Sequence, residues 1–368
     1  MRSLVDVVKM DEKVDDFLYI HENFLYYITP YDKIERITYN EKKIGNLKHL
    51  ISDRIHKVLV IVNPVGGAGY ASKTWRILRP HFERRYKFVD EIFTKRSKHA
   101  YEVVRQIFHT PESVPDAIVC LGGDGLLSEV FNALFDAQKL NVPVFPIPCG
   151  SGNGLALSAL AASPHDKLSI FAGSVRAAIH GRTQPLDLFQ VEIGSRKLVA
   201  FLSVTMGLMA DADIDSECCR CCGGFRFTVC GFWKIVKLKT YLTNIKISTE
   251  KQGDEEISGF FTHVSFFNVS HASADFVAAP ERKLHDGLLS AVAVLRGDAS
   301  RTDLVRAMSA AETGSQAKAC PWWRSTNVTA FEITHTDGGD GFVVDGEFYH
   351  GKTLKASVIS QVAHIYAP

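Results

Sequence analysis

From residue 57 onward, four short apolar runs are each followed by a turn and then by a helical pattern: VLVIV (58–62), KFVDEIF before HAYEVVRQIF, AIVCL (117–121), and VPVFPIP before GLALSALAA. Apolar runs of this length alternating with helices are βα units, and they fold into a mostly parallel sheet covered on both faces. The helix after the third run can be checked by spacing. Leu127, Val130, Phe131 and Leu134 fall at i, i+3, i+4 and i+7, one buried stripe that leaves Glu129 off the core face. Beyond Gly181 the long helices thin out and strand-like runs dominate: PLDLFQVEI, LVAFLSVTM, NIKIS, GFFTHVSFFNVS, GLLSAVAVL, VTAFEI, GFVVDG and LKASVIS. They predict an antiparallel sheet or sandwich, interrupted by helices near 229–242 and 300–312. Residues 1 to about 55 alternate Tyr and Phe with charge in short strand-like runs that carry no motif.

The 368 residues amount to about 2.5 typical domains, which excludes a small disulfide-stapled scaffold and favours two sizeable cores. Forty-two Lys and Arg against 41 Asp and Glu leave a formal charge of +1, too near balance for a protein whose partner is nucleic acid. The opening MRSLVDVVKMDEKVDD has five acidic residues and no export-signal layout. The longest apolar stretch, 198–210, falls short of a membrane span and contains Ser203 and Thr205. The expectation is a cytoplasmic protein with its eight cysteines reduced. Four of these form Cys218-Cys219-Arg220-Cys221-Cys222, whose C-x-x-C spacings lack the second ligand pair of a structural zinc site. The sequons at Asn268 and Asn327 read as chance in such a compartment.

In an open parallel sheet, ligands bind beyond the carboxyl ends of the strands. Three turns there are rich in glycine. Asn63-Pro64-Val65-Gly66-Gly67-Ala68-Gly69 lets backbone N–H groups approach an anion, although Ser72 breaks both the P-loop and the dinucleotide patterns. Gly122-Gly123-Asp124-Gly125 places a carboxylate among glycines at a helix start, suited to a general base or a magnesium shell. Gly150-Ser151-Gly152-Asn153-Gly154 offers a hydroxyl and free N–H groups, and it cannot be aligned as a nucleophile elbow on Ser151.

These three turns, in this order on consecutive βα units, resemble the catalytic domain shared by diacylglycerol, sphingosine and ceramide kinases. The GGDG element also occurs in NAD kinases and phosphofructokinases. Further along, Ser203-Val204-Thr205-Met206-Gly207-Leu208-Met209-Ala210-Asp211-Ala212-Asp213, Arg220, Phe225-Arg226-Phe227-Thr228, Asp275-Phe276-Val277-Ala278-Ala279-Pro280, Asp286-Gly287-Leu288, Gly314-Ser315 and Val344-Asp345-Gly346-Glu347 look like sphingosine kinase segments, so that the resemblance covers roughly residues 57–366. Two positions depart from that family: Gly122, where sphingosine kinases usually have Ser, and Gln316, where a His often follows the late Gly-Ser. The intact Gly150-Ser151-Gly152-Asn153 departs from ceramide kinases, which alter it.

The resemblance implies an extension (1–55), a Rossmann-like, phosphofructokinase-like parallel-sheet α/β domain that binds the nucleotide (56–182), and a lipid-binding antiparallel β-sandwich domain (183–368), with the active site in the cleft between them. It implies ATP and magnesium as cofactors and a sphingoid base as the acceptor. Asp124 is then the base for the lipid hydroxyl, while Asp213 pairs with the lipid amine and Ser203 bonds its polar head. The nucleotide site takes Asn63, Gly66, Gly67, Gly122, Gly123, Gly125, Gly150, Ser151, Gly152 and Asn153, lined by Thr94 and Glu129. Arg220 and Arg226 reach the phosphates, Asp345, Gly346 and Glu347 bind the nucleotide, and magnesium sits near Asp124 and Glu347. Phe232-Trp233-Lys234-Ile235-Val236-Lys237-Leu238-Lys239 mixes aromatic, aliphatic and cationic residues as an interfacial helix does, which fits transient contact with a membrane. Ceramide or diacylglycerol kinase, a catalytically weak lipid-binding protein and an NAD kinase are the competing readings.

Overall fold

The computed structural model of the chain describes residues 17–21, 24–28, 33–38, 54–110, 114–161, 169–216, 225–249, 253–337 and 339–366. The aromatic runs before residue 55 form an antiparallel meander of β1 (Phe17–His21), β2 (Phe24–Ile28) and β3 (Ile34–Thr38). It is held in part by Tyr27, whose hydroxyl donates to Glu35 at 2.8 Å.

The four apolar runs become β4 (Lys57–Val62), β5 (Phe88–Phe93), β6 (Ala117–Gly122) and β7 (Val144–Pro148), with α1 (Ala71–Arg85), α2 (His99–Phe108), α3 (Asp124–Asp136) and α4 (Gly154–Leu160) in the crossovers. All four strands pair in parallel in the order β5-β4-β6-β7. β4 and β6 are apolar without interruption because both of their faces are covered, and Val58, Val60, Val119 and Leu121 are fully buried. The Leu127, Val130, Phe131 and Leu134 stripe of α3 is buried as its spacing predicts. Strand order reverses between β4 and β6, so the chain leaves these two strands in opposite directions and opens a crevice at their carboxyl ends. α5 (Ile170–His180), capped by Ser169, completes this layer.

The second half is built from β8 (Thr183–Ile193), β9 (Arg196–Ala200), β10 (Ser203–Gly207), α6 (Leu208–Ser216), α7 (Phe225–Val236), β11 (Tyr241–Thr249), β12 (Gly253–Phe267), β13 (His271–Ser273), β14 (Phe276–Val277), β15 (Leu289–Leu295), α8 (Arg301–Ala311), α9 (Gln316–Ala319), β16 (Ser325–Val328), β17 (Ala330–His335), β18 (Phe342–Val344), β19 (Glu347–Tyr349) and β20 (Thr353–Tyr366). The 15-residue strand β12 serves two antiparallel layers. Its first half pairs with β11 in the layer β12-β11-β17-β20-β8-β9, and its second half lies between β10 and β15 in the layer β19-β18-β10-β12-β15-β16. A register shift between Phe261 and His263 marks the corner at which the strand changes layer. Phe189, Val191, Met206, Val264, Phe266, Ile333 and Leu354 from both layers meet in one core, which makes this part a sandwich.

Three details depart from the sequence patterns. The run 198–206 breaks at Phe201 and Leu202 into β9 and β10. The helix expected near 229–242 occupies Phe225–Val236, and the chain is already extended from Tyr241. α6 was not foreshadowed, because its sequence LMADADIDS carries no continuous apolar stripe.

β20 joins the halves. It pairs with β17 and β8 along its length and, at Ile365, in parallel with Val144 of β7. Its register shifts between Ile359 and Ala363, where Gln361 has φ 54°. The buried carboxylate of Asp187 holds this irregularity, accepting from Gln361 N–H and from Gly287 N–H, each at 2.6 Å. Asp187→Ala removes the acceptor that both N–H groups share, at ~1–3 kcal/mol each. Urea unfolding is expected to show a loss of about 3 kcal/mol, and a change under about 1 kcal/mol would refute this role for Asp187.

Candidate active site

The three glycine turns occupy the crevice at the ends of β4, β6 and β7, and they touch backbone to backbone. A Cβ on Gly67 would lie 2.5 Å from the carbonyl oxygen of Cys149, and one on Gly150 would run into the backbone of Gly123. Only glycine permits so close an approach, and Gly67 also has φ 57°. Asn63 closes the first turn by accepting from Val65 N–H at 3.2 Å. Asn153, in a left-handed conformation, closes the third by accepting from Gly150 N–H at 3.0 Å and donating to its carbonyl at 2.8 Å. At Gly122 a Cβ would sit 2.8 Å from Cδ2 of Leu126, which would have to shift to admit a side chain. Gly66 lies over Asn63, Gly125 is open on its Cβ side, and Ser151 and Gly152 are half-buried at the rim.

α1, α3 and α4 all start in this crevice, and none is capped by its own N-cap residue, whereas α5 is capped by Ser169 and α8 by a Ser300–Asp303 capping box. Uncapped helix starts leave N–H donors and a positive dipole end available to an anion. Asp124 stands at the start of α3 and crosses to the start of α4. Its Oδ2 accepts from Gly154 N–H at 2.8 Å and its Oδ1 from Leu155 N–H at 3.3 Å. Gly152 leaves room for this, since a Cβ there would be 2.9 Å from Oδ2. Desolvation raises the Asp124 pKa against the opposing pull of these N–H bonds. A carboxyl so placed can take up a proton more readily than one in water.

Asp345 arrives from the other half. Asp345 and Gly346 form the two-residue turn between β18 and β19, with φ 49° and 81°, as a type I′ hairpin requires. Its buried carboxylate accepts from Phe201 N–H at 3.1 Å, Leu202 N–H at 2.9 Å and Ser203 N–H at 3.0 Å, which is why the chain breaks between β9 and β10. Leu202 packs on Gly154, so this turn lies beside the start of α4. Burial pushes the Asp345 pKa up to about 7, the three N–H donors hold it down, and the charge of Asp124 adds to the rise. The structure thus brings Asp124, Ser203 and Asp345 together.

Glu347 is exposed and accepts from the hydroxyl of Tyr349 at 3.3 Å. Thr94, buried, follows β5 and donates its N–H to Val62 at 2.9 Å beside Asn63. Glu129 caps α2, accepting from Lys98 N–H at 2.8 Å and Ala100 N–H at 3.0 Å, a role that spacing on its own helix cannot reveal. Asp213 is half-buried on α6, which packs against β10, β12 and β18. Arg226 falls in the first turn of α7, its side chain outside the described ones; Arg220 and the cysteine cluster lie outside the described residues. Gln316 is buried and donates to the carbonyl of Val277 at 2.7 Å.

The raised Asp345 pKa has a defined sign. Between about pH 4 and 7 the folded protein holds a proton that the unfolded chain, with an ordinary Asp value of 3.8, has released, so this group's contribution to stability falls as pH rises through that window. Thermal unfolding of wild type and Asp345→Asn from pH 5 to 8 should show wild type losing ground to the variant by on the order of 1 kcal/mol per pH unit up to about pH 7. Parallel curves would refute it.

Residues 57–191 match the diacylglycerol kinase catalytic domain family. The chain is 30% identical to a sphingosine kinase 1 of Arabidopsis thaliana over 78% of its own length and 66% of that protein's, and 28% identical to the sphingosine kinase 1 of Homo sapiens over 82% and 88% respectively. Among solved structures, a diacylglycerol kinase from Bacillus anthracis superposes with a TM-score of 0.59 at 15% identity, covering 86% of this chain and 98% of that one, which establishes the shared fold. With these relatives and an acidic crevice of this geometry, the chain belongs to the sphingosine kinase-like lipid kinases.

Proposed function

We propose that the protein transfers the γ-phosphate of ATP to the primary hydroxyl of a sphingoid base, giving its 1-phosphate. The observation that carries this reading is Asp124, a carboxylate of raised pKa set where three helix starts converge and bound to the first N–H groups of α4. Phosphoryl transfer needs positioning and charge neutralisation more than covalent help. In this reading 56–182 binds the nucleotide and 183–368 the lipid. The N–H groups of the turns at 63–69 and 150–154 hold phosphate oxygens, while Thr94, Glu129 and Gly346 border the nucleotide. Arg220 and Arg226 present planar donor forks to the phosphates. The two like-charged carboxylates, Asp124 and Asp345, raise the local demand for a cation, which fits a divalent ion. Among the described residues no group of three or more His, Cys, Asp or Glu converges on a metal position, so the nucleotide itself would supply most ligands, with Asp124 and Glu347 reaching the ion through water. Magnesium bound there neutralises charge on the transferring phosphoryl group. Asp124 takes the proton from the acceptor hydroxyl, and Ser203 bonds the lipid head.

Asp213 supports a sphingoid base over ceramide or diacylglycerol. An ammonium carries a positive charge that this carboxylate can attract, and an amide or ester does not. The lipid comes from a bilayer, and the outer face of α7 suits contact with one. Phe232, Trp233 and Val236 are each about half exposed, Ile235 is buried, and Lys237 lies over the Trp233 ring at 4.8 Å. Among the described residues no helix is long and apolar enough to cross a membrane.

The test is transfer of labelled γ-phosphate from Mg-ATP to sphingosine, ceramide and diacylglycerol side by side. Sphingosine should be the preferred acceptor, and Asp124→Asn should lower its turnover by ~10²-fold or more. Asp213→Asn should weaken sphingosine use and leave any ceramide turnover unchanged. Preference for ceramide or diacylglycerol in the wild type would overturn the amine argument. Phe232→Ala with Trp233→Ala should reduce sedimentation with anionic vesicles; equal sedimentation would remove α7 as the contact.

A further inference from the structure

The sheet that carries Ser203 has one face in the sandwich core and another turned toward α6. Val204, Met206, Val264 and Phe266 fill the core face. Alternation therefore puts Thr205, His263 and Ser265 on the other, and the register sets Thr205 directly opposite Ser265 and Gly207 opposite His263. Around these groups the face carries Phe267 opposite Ser203, Val292 and Val294 on β15, and Val343 on β18, all buried, with Ser290 beside Phe267 at its edge. This is the surface along which a hydrocarbon chain would run from a head group at Ser203.

Three polar side chains on such a surface need partners, and two of their atoms lack one among the described residues. His263 Nε2 bonds Ser265 Oγ at 3.0 Å, but His263 Nδ1 and Thr205 Oγ1 have no hydrogen-bond partner among the described residues. Both residues are more than nine-tenths buried. Burial pushes the imidazole pKa down to about 4, so the ring is neutral, with one nitrogen to donate and one to accept. Trp323 stacks on the ring at 6.2 Å and fixes its plane. Gly207, opposite His263, lets the two strands close up, since a Cβ there would lie 2.5 Å from the carbonyl oxygen of Thr262. An unpaired buried polar atom costs ~1–3 kcal/mol, so apolar residues here would stabilise the unliganded fold.

We infer that Thr205, Ser265 and His263 form a polar subsite for a hydroxyl group carried on the hydrocarbon chain of the substrate, close behind its head group. The Thr205–Ser265 pair lies one step beyond Ser203, about 7 Å along the strand, and His263 a further step beyond. A hydroxyl donates and accepts, as a neutral imidazole and a threonine hydroxyl require of a partner. The inference rests on the sphingoid-base reading above and narrows it to chain-hydroxylated bases.

The experiment compares two acceptors that differ by one chain hydroxyl, sphinganine and 4-hydroxysphinganine, presented in the same detergent micelles to the full chain with Mg-ATP. Wild type should favour the hydroxylated base by about tenfold in kcat/KM, the effect of one good hydrogen bond. His263→Leu combined with Ser265→Ala should bring that ratio to about one or reverse it, chiefly by improving use of the plain base, and should raise the unfolding temperature. Thr205→Val, a near-isosteric change, should lower the ratio in the same direction and serves if the double variant fails to fold. Equal use of the two bases by wild type, or a ratio that neither variant moves, overturns the subsite while leaving the sphingoid-base reading intact. Phosphorylation of diacylglycerol with neither base used overturns both.

Discussion

The site depends on backbones that approach without side chains between them. Gly67 against Cys149 and Gly150 against Gly123 bring the turns after β4, β6 and β7 into one crevice, and no residue larger than glycine fits at those contacts. Once the turns touch, Asp124 can reach from the start of α3 to the N–H groups that open α4. The carboxylate locks two units of the parallel sheet at the point where strand order reverses.

The second half meets the first through another carboxylate bound by backbone. Asp345 gathers the N–H groups of Phe201, Leu202 and Ser203, so the β18–β19 hairpin and the β9–β10 break are one structural unit. That unit leans on Gly154 through Leu202, within electrostatic reach of Asp124. The charge of Asp124 raises the proton affinity of Asp345, so the pair stores unfavourable charge in the free protein. A cation or a proton relieves it.

Local pattern made the first half legible. Uninterrupted apolar strands announced a sheet buried on both faces, and the stripe from Leu127 to Leu134 announced the helix behind the acidic turn. The three glycine turns marked the crevice because their composition has few structural explanations. The roles of Glu129 and Asp345 were less legible, since each is set by donors distant in sequence: Glu129 caps a helix 28 to 31 residues away, and Asp345 binds a turn 142 to 144 residues away. The break at Phe201 and Leu202 was hidden for the same reason. Both residues are apolar, and only the carboxylate opposite them turns a continuous run into two strands. α6 escaped notice because acidic residues, among them Asp211, which accepts from Tyr241, replace the apolar periodicity that identifies a helix.

The run 259–270 carries both halves of the sandwich's logic in one strand. Read as composition it is apolar, yet its alternation after the Phe261 shift sends Val264 and Phe266 into the core and His263 and Ser265 toward α6. A slip of one residue would exchange the two sets and bury the polar pair where Phe331 and Ile333 now pack. The core residues therefore fix the register, and the register places Ser203 against Phe267 and the Asp345 turn beside Gly154. Stability on one face of the sheet thus sets the geometry on the other. The polar atoms that weaken that outer face are retained by a register they do nothing to maintain, so their presence calls for a ligand rather than a packing explanation.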